Sequence, residues 1–139
     1  ADVSGALLQG ASLRGANLTN ANLRGANLFG AKNVPKLNWT IIVPEGDLIV
    51  YKKCVEGVVK LKIPIDAKRS NATTRKCRAN KAIVLELPKN CKLAQSQHDA
   101  QFTYELGLEV QCHKWDDNRW NECSGGIHFF LTREEAEKY

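Results

Sequence analysis

ADVSG ALLQG ASLRG ANLTN ANLRG ANLFG AKNVP, residues 1–35, is the stretch that decides the fold, because it repeats every five residues. The first position of all seven blocks is alanine: Ala1, Ala6, Ala11, Ala16, Ala21, Ala26 and Ala31. The third is apolar in six of them, at Val3, Leu8, Leu13, Leu18, Leu23 and Leu28. The fifth is Gly or Asn until Pro35. A fixed period is read before any local propensity, because it dictates the architecture.

Period five excludes the ordinary elements. A helix needs apolar residues at i, i+3, i+4 and i+7, and a flat strand needs them at every second position. Two inward residues in five fit a chain that turns a corner every five residues. The leucine then fills the axis, the alanine lets the walls approach, and Gly or Asn takes the strained backbone at the corner. On this phase Leu18 and Leu23 point inward beside Ala16 and Ala21, and Arg14 and Arg24 point outward.

The runs ANLTN, ANLRG and ANLFG resemble the pentapeptide-repeat family, whose pattern is A-(D/N)-L-x-x. The resemblance covers residues 1 to about 32 and implies a short right-handed quadrilateral β-helix with four repeats to a coil. Some members of that family imitate DNA with an acidic face. The repeat here carries Arg14, Arg24, Lys32 and Lys36 against Asp2 alone, which argues against that role. Seven blocks make fewer than two such coils, and repeats need stacked neighbours to bury their apolar face. Trp39, at the break after Asn33, is expected to cap one end. The chain starts in register at Ala1 and has no methionine. Either it is a trimmed product, or its open first coil docks on a second copy or another protein through Val3 and Leu8.

Composition bounds the rest. At 139 residues, 43% apolar, the chain can bury a core in one or two small domains. No apolar run approaches the roughly 20 residues of a membrane span, and no stretch has the order of a signal peptide. The odd number of cysteines, Cys54, Cys77, Cys91, Cys112 and Cys123, favours reduced thiols over a disulfide framework. Reduced thiols favour a cytoplasmic setting over secretion.

From Trp39 onward the character changes, giving a division into 1–38 and 39–139. TIIVP (40–44), DLIVYKK (47–53), VVKLKIPI (58–65), KAIVLEL (81–87), FTYELGLEVQ (102–111) and Ile127 to Leu131 read as strands. Thr132 followed by Glu135 reads as the capping box of a terminal helix. The expected fold is mainly β: the β-helix followed by a small β-rich α+β domain with a C-terminal helix. The stretches DAKRSNATTRKCRANKAIVLEL (66–87) and DDNRWNECSGGIHFFLTREEAEKY (116–139) resemble an uncharacterised domain that accompanies pentapeptide repeats in phages and large DNA viruses. That resemblance implies a setting and an architecture, with no assigned activity.

Charge is concentrated. Residues 66–81 hold Lys68, Arg69, Arg75, Lys76, Arg78 and Lys81 against Asp66, whereas residues 99–138 hold nine acids and four bases. The basic segment could grip phosphates, as nucleic-acid binding requires. It could equally be a loop paired with the acidic part of the chain. With no aromatic between its bases, stacking on single strands is not indicated. Cys112, His113, Cys123 and His128, with Asp116 and Asp117 between, could supply a thiol and imidazole or a zinc site, but no C-x-x-C pair accompanies them. Trp115 and Trp120 bracket an Asp-Asp-Asn-Arg turn, either as partner anchors or as the seal of a sheet end. No catalytic, metal or cofactor motif stands out, so a non-enzymatic docking or assembly component is expected. The alternative is a nucleic-acid-binding accessory protein using 68–81.

Overall fold

The structure is a computed structural model that describes residues 3–14, 16, 23, 25–34 and 43–139. Leu18, Ala21, Arg24, Trp39 and most of the 40–44 run lie outside the described residues.

Within the repeat, the period becomes a series of turns. The backbone N–H groups of Ala6, Ala11, Ala16, Ala26 and Ala31 donate to the carbonyls of Val3, Leu8, Leu13, Leu23 and Leu28 at 2.9–3.1 Å. Gly5, Gly10, Gly25 and Gly30 hold φ between 68° and 71°, the left-handed value required at the third position of a type II turn. A Cβ on Gly5, Gly10 or Gly25 would meet nothing, so the backbone angle rather than space demands glycine there. The turns stack in parallel, Leu7 on Asn27 and Ser12 on Lys32, an offset of twenty residues or four blocks. The N–H of Asn27 donates to Ala6 O at 2.8 Å and the N–H of Leu8 to Asn27 O at 2.9 Å, and the same pattern recurs at Ala11, Lys32 and Leu13.

Leu23, Ala26, Leu28 and Ala31 are buried and Arg14 is exposed, in the expected phase. Ala16 departs from it and is exposed. An alanine at a corner is buried only when something lies over it. The second region packs Trp120 against Leu23 and Ala26, which accounts for the burial of Ala26.

The second region is built on antiparallel sheets. Strand β1 (Leu48–Cys54) and β2 (Gly57–Ile63) form a hairpin whose register runs from Leu48 opposite Ile63 to Cys54 opposite Gly57. With β5 (Lys81–Glu86) and β8 (Glu109–Gln111) they give the order β1-β2-β5-β8. The buried positions of β2, Val59, Leu61 and Ile63, alternate as one face of a strand must. A second sheet has the order β3 (Arg69–Asn71), β4 (Cys77–Ala79), β9 (Ile127–Phe129). A third pairs β6 (Leu93–Gln95) with β7 (Thr103–Glu105). Val50, Leu61, Val84, Tyr104 and Phe129 meet in one core among these sheets.

Three expectations change. FTYELGLEVQ is two short strands, not one, because Gly107 turns with φ 80° between exposed Leu106 and Leu108. The basic segment is not a loop but contains β3 and β4. The last strand stops at Phe129, with Phe130 left to pair with Tyr51 as an isolated bridge. Helix α1 (Arg133–Lys138) begins as expected: the Thr132 hydroxyl accepts the N–H of Glu135 at 3.3 Å and donates to its carboxylate at 2.9 Å.

Leu23→Ala should lower unfolding free energy by about 2–5 kcal/mol, as for other buried leucines. Leu7→Ser, at a side chain 76% exposed, should change it by less than about 0.5 kcal/mol. Urea midpoints of the two variants check the phase, and a larger loss at Leu7 would refute it.

Candidate functional site

Strands β3 and β4 place the basic residues, and they do so mostly by using them internally. Arg69 turns its guanidinium onto the carbonyls of Pro44 and Gly46, and of Ile63 and Pro64 at 3.1 and 3.0 Å. Arg78, on the middle strand of its sheet, is 1% exposed. Its guanidinium donates to the carbonyls of Asp116 (2.5 Å), Gly125 (2.9 Å) and Asn118 (2.6 Å), with the Trp115 ring 4.7 Å away. Arg75 makes a two-pronged bond to Glu135, both contacts at 2.8 Å. Lys81 meets Asp66 at 2.5 Å and Glu109 at 4.0 Å, and Lys68 meets Asp117 at 4.0 Å. Lys76 donates to the Tyr139 hydroxyl at 2.7 Å. The six cations are thus brought together by the fold, yet most face carbonyls or acids of the same chain. Arg78 in particular has no surface to offer a phosphate.

The Arg78 fork holds the loop from Lys114 to Gly126. Asp116 inside it receives Asn118 N–H and Asn121 Nδ2, both at 2.8 Å. The Ser124 side chain and then these amides hold its carboxyl down to about 2. A Cβ on Gly125 would run into the Lys114 carbonyl, so only glycine closes the loop. The two tryptophans do different things. Trp115 covers Arg78 and donates Nε1–H to Asp117 at 2.6 Å, whereas Trp120 packs on the repeat at Leu23 and Ala26.

That contact is one of several along the seam with the repeat. Buried Thr73 donates its hydroxyl to Ala26 O at 2.7 Å, and Gly30 N–H donates to Asn121 Oδ1 at 2.6 Å. Beside them is a groove of about 410 Å³ lined in part by Phe29, Ala72, Trp120 and Glu122. Val3 and Leu8, expected as the bare end of the coil, are half-buried against Leu23 and Ala26; among the described residues, the exposed large apolar side chains of the repeat are Leu7 and Phe29.

A larger cleft of about 500 Å³ gathers Cys112, His113, Cys123 and His128. These four are also close in sequence, and His98, Lys52, Lys76 and Tyr139 join them from distant parts of the chain. His128 Nε2 lies 3.1 Å from the Glu122 carbonyl, which can only accept, so Nε2 carries the proton. Burial, then the fields of Lys76 and Lys52, push the His128 imidazole down to about 4. Burial also lowers Lys52 and raises the Cys112 thiol, away from the thiolate that nucleophilic attack needs. Among the described residues no three His, Cys, Asp or Glu side chains form a group able to hold a metal. Among them, too, no helix is long and apolar enough to cross a membrane.

Two family models match the chain. One, described as a family of unknown function (DUF5758), matches residues 39–136; the other, pentapeptide repeats (8 copies), matches residues 1–32. No curated protein and no solved structure matches.

Arg78→Met should orphan the Asp116 carbonyl, worth about 1–3 kcal/mol when left unbonded, and leave the Asn118 and Gly125 carbonyls with only their backbone donors. Global stability should fall, and hydrogen-exchange protection should be lost in 114–126; Arg78→Lys should rescue little, since one ammonium cannot reproduce the fork. Unchanged exchange in that loop would refute the role of the guanidinium. The depressed His128 gives a sign as well. The unfolded imidazole binds its proton near 6.5 and the folded one near 4, so stability should fall as pH drops through that window. His128→Gln should flatten the fall when unfolding midpoints are followed against pH.

Proposed function

The chain belongs to the family of unknown function DUF5758, and we propose that it is a non-enzymatic docking or assembly component acting through protein–protein contacts at its repeat. In this reading residues 1–38 form a right-handed, four-sided β-helix and residues 39–139 a companion domain. The twenty-residue offset of the parallel bridges supports four repeats to a coil. The expected setting is a phage or large DNA virus, in the host cytoplasm or the virion.

One observation carries the proposal. In the ladder, Asn27 and Lys32 direct their own N–H and C=O groups at the first coil. Leu7 and Ser12, opposite them, therefore direct theirs away, and among the described residues these meet no backbone partner. An unpaired edge is a template for strand addition. The Leu7 side chain beside it is 76% exposed and Phe29 is 50% exposed, giving an apolar footing for the added strand. A second copy of the chain or a strand-edged partner fits such a surface. The alternative, nucleic-acid binding by 68–81, draws no comparable support, since Arg78 is enclosed and Arg75, Lys81 and Lys68 face acids.

Sedimentation of the protein over a concentration series, with photo-crosslinking from position 7 in its native source, tests the reading. Self-association or a crosslinked protein partner, weakened by Leu7→Arg, is the expected result. A monomer up to about 100 μM, weaker than any ordinary specific contact, with no crosslink from position 7, would reject it.

A further inference from the structure

Four lysines of the second region have a carboxylate partner among the described residues. Lys60, Lys62, Lys68 and Lys81 each lie within 4.0 Å of a carboxylate. Three lysines that line the 500 Å³ cleft, Lys52, Lys76 and Lys114, have none so close among the described residues, and the first two make their contacts within it. Lys52 Nζ donates to the His128 carbonyl at 3.1 Å. Lys76 Nζ donates to the Tyr139 hydroxyl at 2.7 Å, lies 4.7 Å from the centre of its ring, and is 3.8 Å from Cys123 Sγ. None of these partners is a carboxylate. Each ammonium has three protons to donate, so both retain capacity for an acceptor. Keeping two cations together in a partly enclosed space without a counter-charge is unfavourable. Asp99, the one carboxylate among the described residues that line the cleft, sits apart, 3.9 Å from His113 Nε2.

Part of the lining is aromatic. Phe102 stands edge-on to His113 with centroids 5.5 Å apart and tilts against Tyr104 at 5.3 Å. A cleft of this size, lined by aromatic side chains and a few polar groups, has the character of a small-molecule site.

We propose that this cleft binds a small organic anion, its phosphate or carboxylate head held by Lys52 and Lys76 and its planar body laid on Phe102. The head replaces the missing counter-charge, with the Tyr139 hydroxyl as a further donor. The aromatic wall selects flat, unsaturated bodies over bare inorganic anions. The site lies away from the Leu7 edge, so it stands or falls independently of the docking reading.

The test uses the full chain at low salt with four probes: adenosine monophosphate, benzoate, adenosine and inorganic phosphate. Binding is read by calorimetry, by the rise in melting temperature that a native-state ligand must cause, and by shifts of the histidine ring signals. At least one of the two organic anions should bind with a dissociation constant below about 1 mM, and about tenfold more tightly than adenosine or phosphate. Adenosine monophosphate as the tighter probe assigns a phosphate head, and benzoate a carboxylate head. Lys76→Met should weaken binding about tenfold or more, and Lys60→Met, in an ion pair elsewhere, should leave it unchanged. Lys52→Met should act like Lys76→Met; if it does not fold, Lys76→Met with the His128 signal decides. Silence of both organic anions up to about 10 mM, adenosine binding as well as its monophosphate, or full affinity in Lys76→Met would each overturn the proposal.

Discussion

A guanidinium enclosed by backbone is the constraint on which this structure turns. Arg78 sits in the middle strand of a three-stranded sheet, and its fork gathers carbonyls from Asp116, Asn118 and Gly125. A charge so deeply placed is costly unless its donors are matched; Nη1 and Nη2 meet these three acceptors, all of one loop, while Nε has no partner among the described residues. Matching them fixes the loop's path, and the loop then does two further things. Through Trp120 and Asn121 it meets the repeat at Leu23, Ala26 and Gly30. Through Cys123, Gly125 and Gly126 it forms part of the wall of the lysine-bearing cleft. Removing the cation would loosen the seam and the cleft together.

The same cation shows where reading a sequence stops. A five-residue period is a local signal with one physical solution, so the phase of Leu23 and Leu28 and the turn glycines are legible in the residues alone. So are the long strands Leu48–Cys54, Gly57–Ile63 and Lys81–Glu86, each with enough β-branched residues to outweigh their lysines, and the Thr132 cap. The segment from Lys68 to Lys81 is not. Its strands are three residues long, too short to show alternation, and six bases in so short a stretch read as surface. The available signal is finer: Arg78 lies between Cys77 and Ala79, a small apolar pair that flanks a buried position well and an exposed loop poorly. The cleft is half legible. Cys112, His113, Cys123 and His128 are close in sequence, whereas Lys52, Lys76 and Tyr139 arrive through sheet pairing and the terminal helix, which no spacing reveals.

The uneven charge of the chain has a structural explanation in these contacts. The basic segment and the acidic C-terminal part are partners: Arg75 with Glu135 of the terminal helix, Lys68 with Asp117 of the Arg78 loop, Lys81 with Glu109 of β8. Exposed pairs of this kind add little stability each. Their arrangement nonetheless uses three of the six bases against the protein's own acids, and backbone carbonyls take up Arg69 and Arg78. Among the described residues, Lys76 meets neither and lines the cleft with Lys52.

The groove at the repeat seam and the lysine-bearing cleft share a wall. Glu122 and Cys123 line the groove beside Phe29 and Trp120, and Cys123 also lines the cleft, where the Glu122 carbonyl receives the Nε2 proton of His128. The Glu122 carboxylate in turn accepts the Thr74 hydroxyl, one residue after the Thr73 that is bonded to the repeat. Close-packed interiors transmit displacement rather than absorb it. A two-residue partition held from both sides therefore ties the geometry of the repeat seam to that of the cleft, and its stiffness comes from short-range bonds on either face. That coupling follows from the fold. Leu23 and Ala26 of the repeat are covered by Trp120, and the loop that supplies the cover is the one already fixed by Arg78.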